Sequence, residues 1–444
     1  MNGNVFQNNL KWIYLAGIFI ILTLPLWNLP PWFSPPDWGK TIVFKIVLSV
    51  LLFLLAYQIL FQKQFYSYIK SKIPKPSFTS PFYLLLMLLG IFLLSTLFSQ
   101  DAYFSFWGNP YRAGGFINFA FYILLSLLTF FLFSRNDWQR LWDFSILIAV
   151  LVSFKAIFQL YGKFASTLIP FTGRPPSTVG GPIFLAIYLL LLTFISFNFL
   201  IKDKNLIKKI FYLFSLILFL FTALFVTQTR AVFIGLFLGL VFFFLFFPIK
   251  NKKMIVLKTA GILIVISTIF SFYYVNTTAQ LPQFVKDNKF LSEVIERSSI
   301  EKAMEDPRVS GWKVSWRAIF DKPILGYGPE NFSIGFDKHY DPNLPKTDEQ
   351  WGSWWDRAHN VFLETAISTG IPSLIVYLLL FIFLIYELQK LKKKNPENQL
   401  LYHCLQATFI AYLGANFFSF DTFSTYLISF LLISYTIYLY ENNK

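Results

Sequence analysis

Apolar residues run along this chain in long unbroken stretches, and polar residues gather in short breaks between them. About 20 apolar residues is the length at which a helix crosses a bilayer. Read this way, the pattern predicts about twelve transmembrane helices, near 12–28, 41–61, 82–98, 116–133, 142–161, 182–201, 207–226, 231–249, 255–275, 371–388, 400–418 and 422–440. One long polar stretch interrupts the series at 276–358, and it is not low in complexity. The expected fold is an all-α integral membrane protein in three parts. Helices one to nine occupy 1–275, a mainly helical extracytoplasmic loop domain fills 276–358, and helices ten to twelve occupy 359–444. The first run follows a short polar tail and Lys11, and "LWNLPPWF" after it has no small-residue cleavage site. It is therefore read as a retained helix rather than a signal peptide.

Composition agrees with this reading. With 56% hydrophobic and 20% aromatic residues, the chain holds more apolar surface than one soluble core hides. A single cysteine, Cys404, leaves neither a disulfide framework nor a cysteine metal site.

Charge sets the orientation. With the N-terminus inside, the even-numbered connections hold Lys63 to Lys75, Arg135 and Arg140, Lys202 to Lys209, Lys250 to Lys253, and Lys390 to Lys394. The short connections on the other side hold only Lys40, Arg112, Lys163, Arg174 and Arg230. By the positive-inside rule both termini are cytoplasmic and 276–358 is extracytoplasmic. The net charge of +15 then reports topology and contact with membrane lipids, and nucleic acid is not an expected partner.

Cations outside are informative because topology does not explain them. Arg112 in "GNPYRAGGF", Arg174 in "FTGRPPSTVGGP" and Arg230 in "TQTRAVFIG" each abut the end of an apolar helix. Any one of them could snorkel to headgroups or pair with an acid. Several on one leaflet favour an anion clamp, because guanidinium forks onto phosphate oxygens. Within the polar stretch, "FLSEVIERSSIEKAM" and "PRVSGWKVSWRAIF" have helical spacing, and Arg308 and Trp312 share a face that Trp316 continues. Its tryptophans serve equally as an interface belt or as stacking faces for sugars. At its end, "DRAHNVFLETAISTGIPS" places Arg357, His359 and Asn360 at the lip of a helix. Asp356 is the expected N-cap, with His359 in the first turn, where the helix dipole favours a neutral imidazole that can accept a proton. An interfacial histidine without chemistry is the plainer alternative. His339 and His403 receive no role, and no carboxylate or histidine grouping calls for a metal.

These residues resemble the O-antigen ligase and polymerase superfamily. His359-Asn360, nine residues and Gly370 match its His-Asn and Gly-x-x-Gly signature, with Ser373 at the last position. Arg308-x-x-x-Trp312 followed by "PILGYGPENF" is similar to its Arg-x-x-x-Trp and Pro-x-x-Gly-x-Gly stretch, and "TQTRAVFIG" to its Ser-Arg helix start. "GRPPSTVGGPIFLAIYL" looks like its Asn-Pro-Asn segment but lacks both asparagines. The resemblance implies a glycosyltransferase C-like membrane fold and an inverting, metal-independent transferase with no cofactor. The donor would be a glycan on undecaprenyl pyrophosphate at the outer face of the cytoplasmic (inner) membrane, and the acceptor a lipid A–core, a growing glycan or a protein. Arg230 and Arg308 would bind pyrophosphate with Arg174 as a third candidate, His359 would activate the acceptor, and Asn360 would orient it. Trp312, Arg357 and Arg112 complete the candidate binding set. A transporter or flippase of an anionic or lipid-linked solute is the rival of another class, and it would need charged groups at mid-membrane, where only Lys45 and Lys155 are in view.

Overall fold

The computed structural model describes residues 8–28, 37–109, 114–162, 173–249, 252–277, 306–340 and 355–443, with isolated positions 283, 287, 292 and 299. Among these residues the chain is helical and contains no strand. All twelve apolar runs form helices. They are α1 (Asn8–Thr23), α2 (Asp37–Phe61), α4 (Pro81–Leu97), α6 (Gly115–Leu132), α7 (Arg135–Leu160), α8 (Pro182–Lys202), α9 (Leu206–Phe221), α10 (Arg230–Leu245), α11 (Lys252–Thr277), α15 (Ile371–Lys394), α16 (Gln399–Asn416) and α17 (Phe423–Glu441). Eight stretches are long and apolar enough to cross a membrane, so the chain is a multi-pass membrane protein. The helices that begin at Leu10, Pro81 and Arg230 are apolar but shorter. Two additional short helices, α3 (Lys63–Lys72) and α5 (Ala102–Trp107), connect the runs.

The sequence pattern places the start of α7 seven residues late. Ser134 and Asp137 form a reciprocal cap, with Ser134 N donating to Asp137 Oδ2 at 2.9 Å. The charged stretch from Arg135 to Arg140 is therefore helix rather than connection, and Trp138 and Trp142 are buried beside Tyr435. Helix α16 packs most extensively against α10. Its small residues explain this. A Cβ at Gly235 would lie 2.5 Å from Ala411 O and 2.8 Å from Ala415 Cβ, and one at Gly239 would lie 2.8 Å from Ala411 Cβ. Small residues one turn apart on both helices let the backbones approach closely.

The two ends of the bundle differ in charge. At one end Lys72 Nζ donates to Phe131 O (3.2 Å), Lys11 pairs with Asp137 (2.7 Å) and Lys208 with Asp143 (3.2 Å). At the other end lie the C-termini of α1, α4, α7 and α16 and the N-termini of α2, α6, α8, α10 and α17, and here the remaining helices assemble. These are α12 (Pro307–Asp321), α13 (Phe332–Lys338) and α14 (Val361–Thr369). They share a core of Val314, Ala318, Ile319, Tyr327, Phe332, Phe336, Ala358, Ala366 and Ile367, against which Ile371 and Leu374 of α15 pack. The helix expected at "FLSEVIERSSIEKAM" lies outside the described residues except at the isolated positions 292 and 299.

Candidate active site

His359 is one of four non-glycine residues with positive φ among the described residues, at +50°. The others are Ser177 (+53°), Gln228 (+46°) and Glu330 (+68°). Such conformations persist only where the surroundings over-determine them, and they concentrate at functional sites. All four lie at the same end of the bundle.

The turn holding His359 is clamped from both sides. Glu364 Oε2 accepts from Ala358 N at 2.8 Å, and Trp312 Nε1 donates to Ala358 O at 3.0 Å. Below the turn, Arg357 is partly buried between two carboxylates, bonding Glu364 Oε1 at 2.8 Å and also Glu330. Burial lowers the Arg357 pKa, but the charges of Glu330 and Glu364 outweigh it and hold the guanidinium firmly protonated. Burial raises the Glu364 carboxyl above its ordinary range, and Arg357 opposes that shift. The aromatic rings of Trp355 and Phe420 meet the imidazole edge-on at 5.0 and 5.1 Å.

The helix begins later than the sequence pattern predicts. Asn360, not Asp356, caps α14, with Oδ1 accepting from Phe362 N (2.9 Å) and Leu363 N (3.2 Å). His359 therefore precedes the cap instead of sitting in the first turn, and the dipole argument does not fix its protonation. A different contact does bear on the tautomer. His359 Nδ1 lies 3.1 Å from Arg357 O. A carbonyl only accepts, so Nδ1 carries the proton, and in the neutral ring the lone pair is on Nε2.

Arg308 and Trp312 lie on one face of α12, as their spacing predicts. Asp306 caps the helix by accepting from Arg308 N at 3.0 Å, and the Arg308 guanidinium lies 3.8 Å from the same carboxylate. The Trp312 ring meets Phe417 and Phe418, just beyond α16, at 5.5 and 5.8 Å. Arg230 is the first residue of α10, set there by a π turn at Thr222–Val226 that ends the preceding helix. In the α10–α16 register Gly235 faces Ala411 and Ala415. Extended along the two axes, that register sets Arg230 level with the phenylalanines that touch Trp312. Arg174 joins the same corner through a weak contact, its Nη1 3.5 Å from Gln228 O. Behind it the chain sinks into the bundle: Ser177 and Thr178 are buried, with hydroxyls bonded to Val152 O (2.8 Å) and Pro25 O (2.6 Å). Lys40, read from sequence as part of a connection, is buried in the first turn of α2 and donates to Thr178 O. Lys155 donates to Leu26 O at 2.7 Å. Arg112 lies outside the described residues.

Residues 213–378 match the family model described as O-antigen ligase. This segment is similar to O-antigen ligases. It extends from α9 into α15 and contains Arg230, Arg308, Trp312, Arg357, His359 and Asn360, whereas Arg174 and Arg112 precede it. The chain is also similar to the ComP-specific O-oligosaccharyltransferase of Acinetobacter baylyi (strain ATCC 33305 / BD413 / ADP1), at 24% identity over 353 residues. That match covers 78% of this chain and 58% of the relative's length.

Within the matched segment, sequence reasoning missed the acids. Glu330, Arg357 and Glu364 line a cavity of about 80 Å³ together with Asn118, Asp421 and Tyr426, enough for a few waters. The available signal was Glu364 itself, a lone carboxylate in the apolar run "HNVFLETAIS". No group of three or more His, Cys, Asp or Glu residues among the described residues could hold a metal ion. His339 contributes to a surface network: Asp321 Oδ2 receives His339 Nε2 (2.6 Å), Lys338 (2.7 Å) and Tyr327 OH (3.1 Å). These bonds hold the Asp321 carboxyl well below the usual carboxylate range.

Proposed function

We propose that this protein transfers a glycan from undecaprenyl pyrophosphate to an acceptor hydroxyl, with inversion at the anomeric carbon, at the outer face of the cytoplasmic membrane. The main support is the company His359 keeps: Trp312 of the Arg308 helix bonded to the adjoining Ala358 carbonyl, with Arg230 and Arg174 on the same end of the bundle. In the reaction, the acceptor oxygen attacks the anomeric carbon as the bond from that carbon to pyrophosphate breaks. The leaving oxygen takes the bonding electrons, and the hydroxyl proton passes to His359 Nε2. Pyrophosphate is a weakly basic leaving group, so its main need is charge stabilisation, which Arg230 and Arg308 supply from fixed positions. Arg174 is a third contact. Asn360 acts by capping the helix beneath His359, and Arg357 by holding the turn. Arg112 remains a candidate on sequence grounds alone. Lysines concentrated at the opposite end support cytoplasmic termini.

A protein hydroxyl is the second reading for the acceptor, favoured by the name of the A. baylyi relative. One experiment addresses both. The protein is reconstituted with a short undecaprenyl-pyrophosphate glycan and, in turn, lipid A–core, a carrier-linked glycan and a serine-containing peptide, and products are read by mass spectrometry. Release of carrier with glycan on one acceptor is expected. His359→Ala lowers kcat by about 10²–10⁴-fold, and Arg230→Ala or Arg308→Ala by about 10²–10³-fold, with insertion unchanged. Wild-type turnover from any two of these variants removes the assignment. Passage of intact donor across the bilayer makes the protein a transporter.

A further inference from the structure

Helix α12 turns one face into its domain and leaves the other uncovered. Gly311, Val314, Ser315, Ala318 and Ile319 are buried, whereas Lys313, Trp316, Arg317 and Phe320 are exposed. Trp316 is 58% exposed, Phe320 60% and, just past the helix, Ile324 69%. This is a large apolar stripe for a polar domain. Trp316 and Phe320 meet edge-on at 5.3 Å, with Lys313 on the same face about one turn before Trp316 and Arg317 beside them. A basic flank beside Trp and Phe is the composition of a helix that lies in a bilayer interface.

The position of the stripe names its occupant. Ile371 N, which opens α15, donates to Pro323 O at 2.7 Å, and Ser95 Oγ of α4 donates to Leu325 O at 2.6 Å. Ile324 is thus fixed between the ends of two apolar helices. Their neighbouring residues, Leu94, Leu97 and Phe98 on one side and Ile375 on the other, are also exposed. The apolar stripe of α12 thus lies beside exposed apolar residues at the ends of α4 and α15.

We propose that α12 is an interfacial helix. Trp316, Phe320 and Ile324 enter the acyl boundary of the adjoining leaflet, and Lys313 and Arg317 lie at the level of the lipid phosphates. Because Arg308 and Trp312 are on the same rigid element, the stripe sets the depth of the site relative to those phosphates. The inference rests on burial and position and holds whether or not the protein transfers a glycan.

Spin labels test it. Cys404 is replaced by Ala, single cysteines are placed at 313, 316, 320 and 324 (Lys313→Cys, Trp316→Cys, Phe320→Cys, Ile324→Cys), and each variant is reconstituted in phosphatidylethanolamine–phosphatidylglycerol vesicles. Collision with oxygen should exceed collision with a water-soluble nickel chelate at 316, 320 and 324, and the order should reverse at 313. Nickel access at the stripe overturns the proposal, and so does protection from both reagents, which would mean that protein covers it. The unsubstituted protein gives a second measurement. A photoreactive phospholipid should crosslink to the peptide spanning 313–324, and crosslinks confined to α4 and α15 also overturn the proposal.

Discussion

Asp421 occupies the turn between α16 and α17, where it is buried and accepts from Tyr412 OH at 2.5 Å and from Asn416 Nδ2 at 3.4 Å. Burial pushes its carboxyl up to about 6, against the opposing pull of these donors. The unfolded chain releases this proton near a pH of about 3.9, so between the two values the folded state holds more protons. Its contribution to stability is therefore full below about pH 4 and is lost as pH rises through about 6. Asp421→Asn keeps an acceptor for Tyr412 and removes the titration. The variant should match the wild type in unfolding free energy in detergent at pH 4 and exceed it at pH 8, by on the order of 1–3 kcal/mol. A difference that does not change with pH would remove the assignment. At this scale the sequence was only partly legible. The sequence placed His359 and Asn360 at the lip of a helix, where the structure has them. It pointed to Asp356 as the cap, whereas Asn360 takes that place, and both residue types suit the position. The choice is made by Glu364, whose grip on Arg357 and Ala358 N holds the chain out of the helix until residue 360. That contact depends on a buried carboxylate whose partner arginine was read as facing substrate.

Element by element, periodicity found every long helix because apolar run length is a property of the chain itself. Hydropathy was a poorer guide to which helices lie inside. Helix α16 is not among the eight spans, yet His403 and Gln406 on it are buried, with His403 Nε2 on Phe243 O at 2.8 Å. Close approach to α10 through small residues makes that burial possible, and small residues carry no hydropathy signal. Gly235→Val tests the seam. The added branch meets Ala411 O and Ala415, so overpacking should cost about 1–3 kcal/mol, read as a lower thermal midpoint. Because Arg230 lies just above this contact, transfer should fall with it, whereas Gly90→Ala, where a Cβ meets nothing within 4 Å, should leave both unchanged. Equal effects from the two substitutions would separate the seam from the position of Arg230.

For the whole molecule, the excess of lysines in the short connections at one end of the bundle makes a topological prediction. A membrane-impermeant maleimide should label Lys338→Cys from outside intact cells and reach Lys394→Cys only after lysis. Labelling in the opposite order would invert the protein and remove the outward-facing site with it. The join between the α12–α14 domain and the bundle has a mechanical consequence of its own. Tyr327 N and Gly328 N donate to Ile367 O (2.9 Å) and Ser368 O (2.8 Å), and Ile371 N and Ser95 close the same seam. Gly370, at φ +88°, passes so close that a Cβ would lie 2.0 Å from Ile324 O. Opening here would break several backbone hydrogen bonds at about 1 kcal/mol each. The join is a bolt rather than a hinge. Under the proposed transfer reaction, the height of the imidazole relative to the bilayer would be set once, at folding, and not again at each turnover.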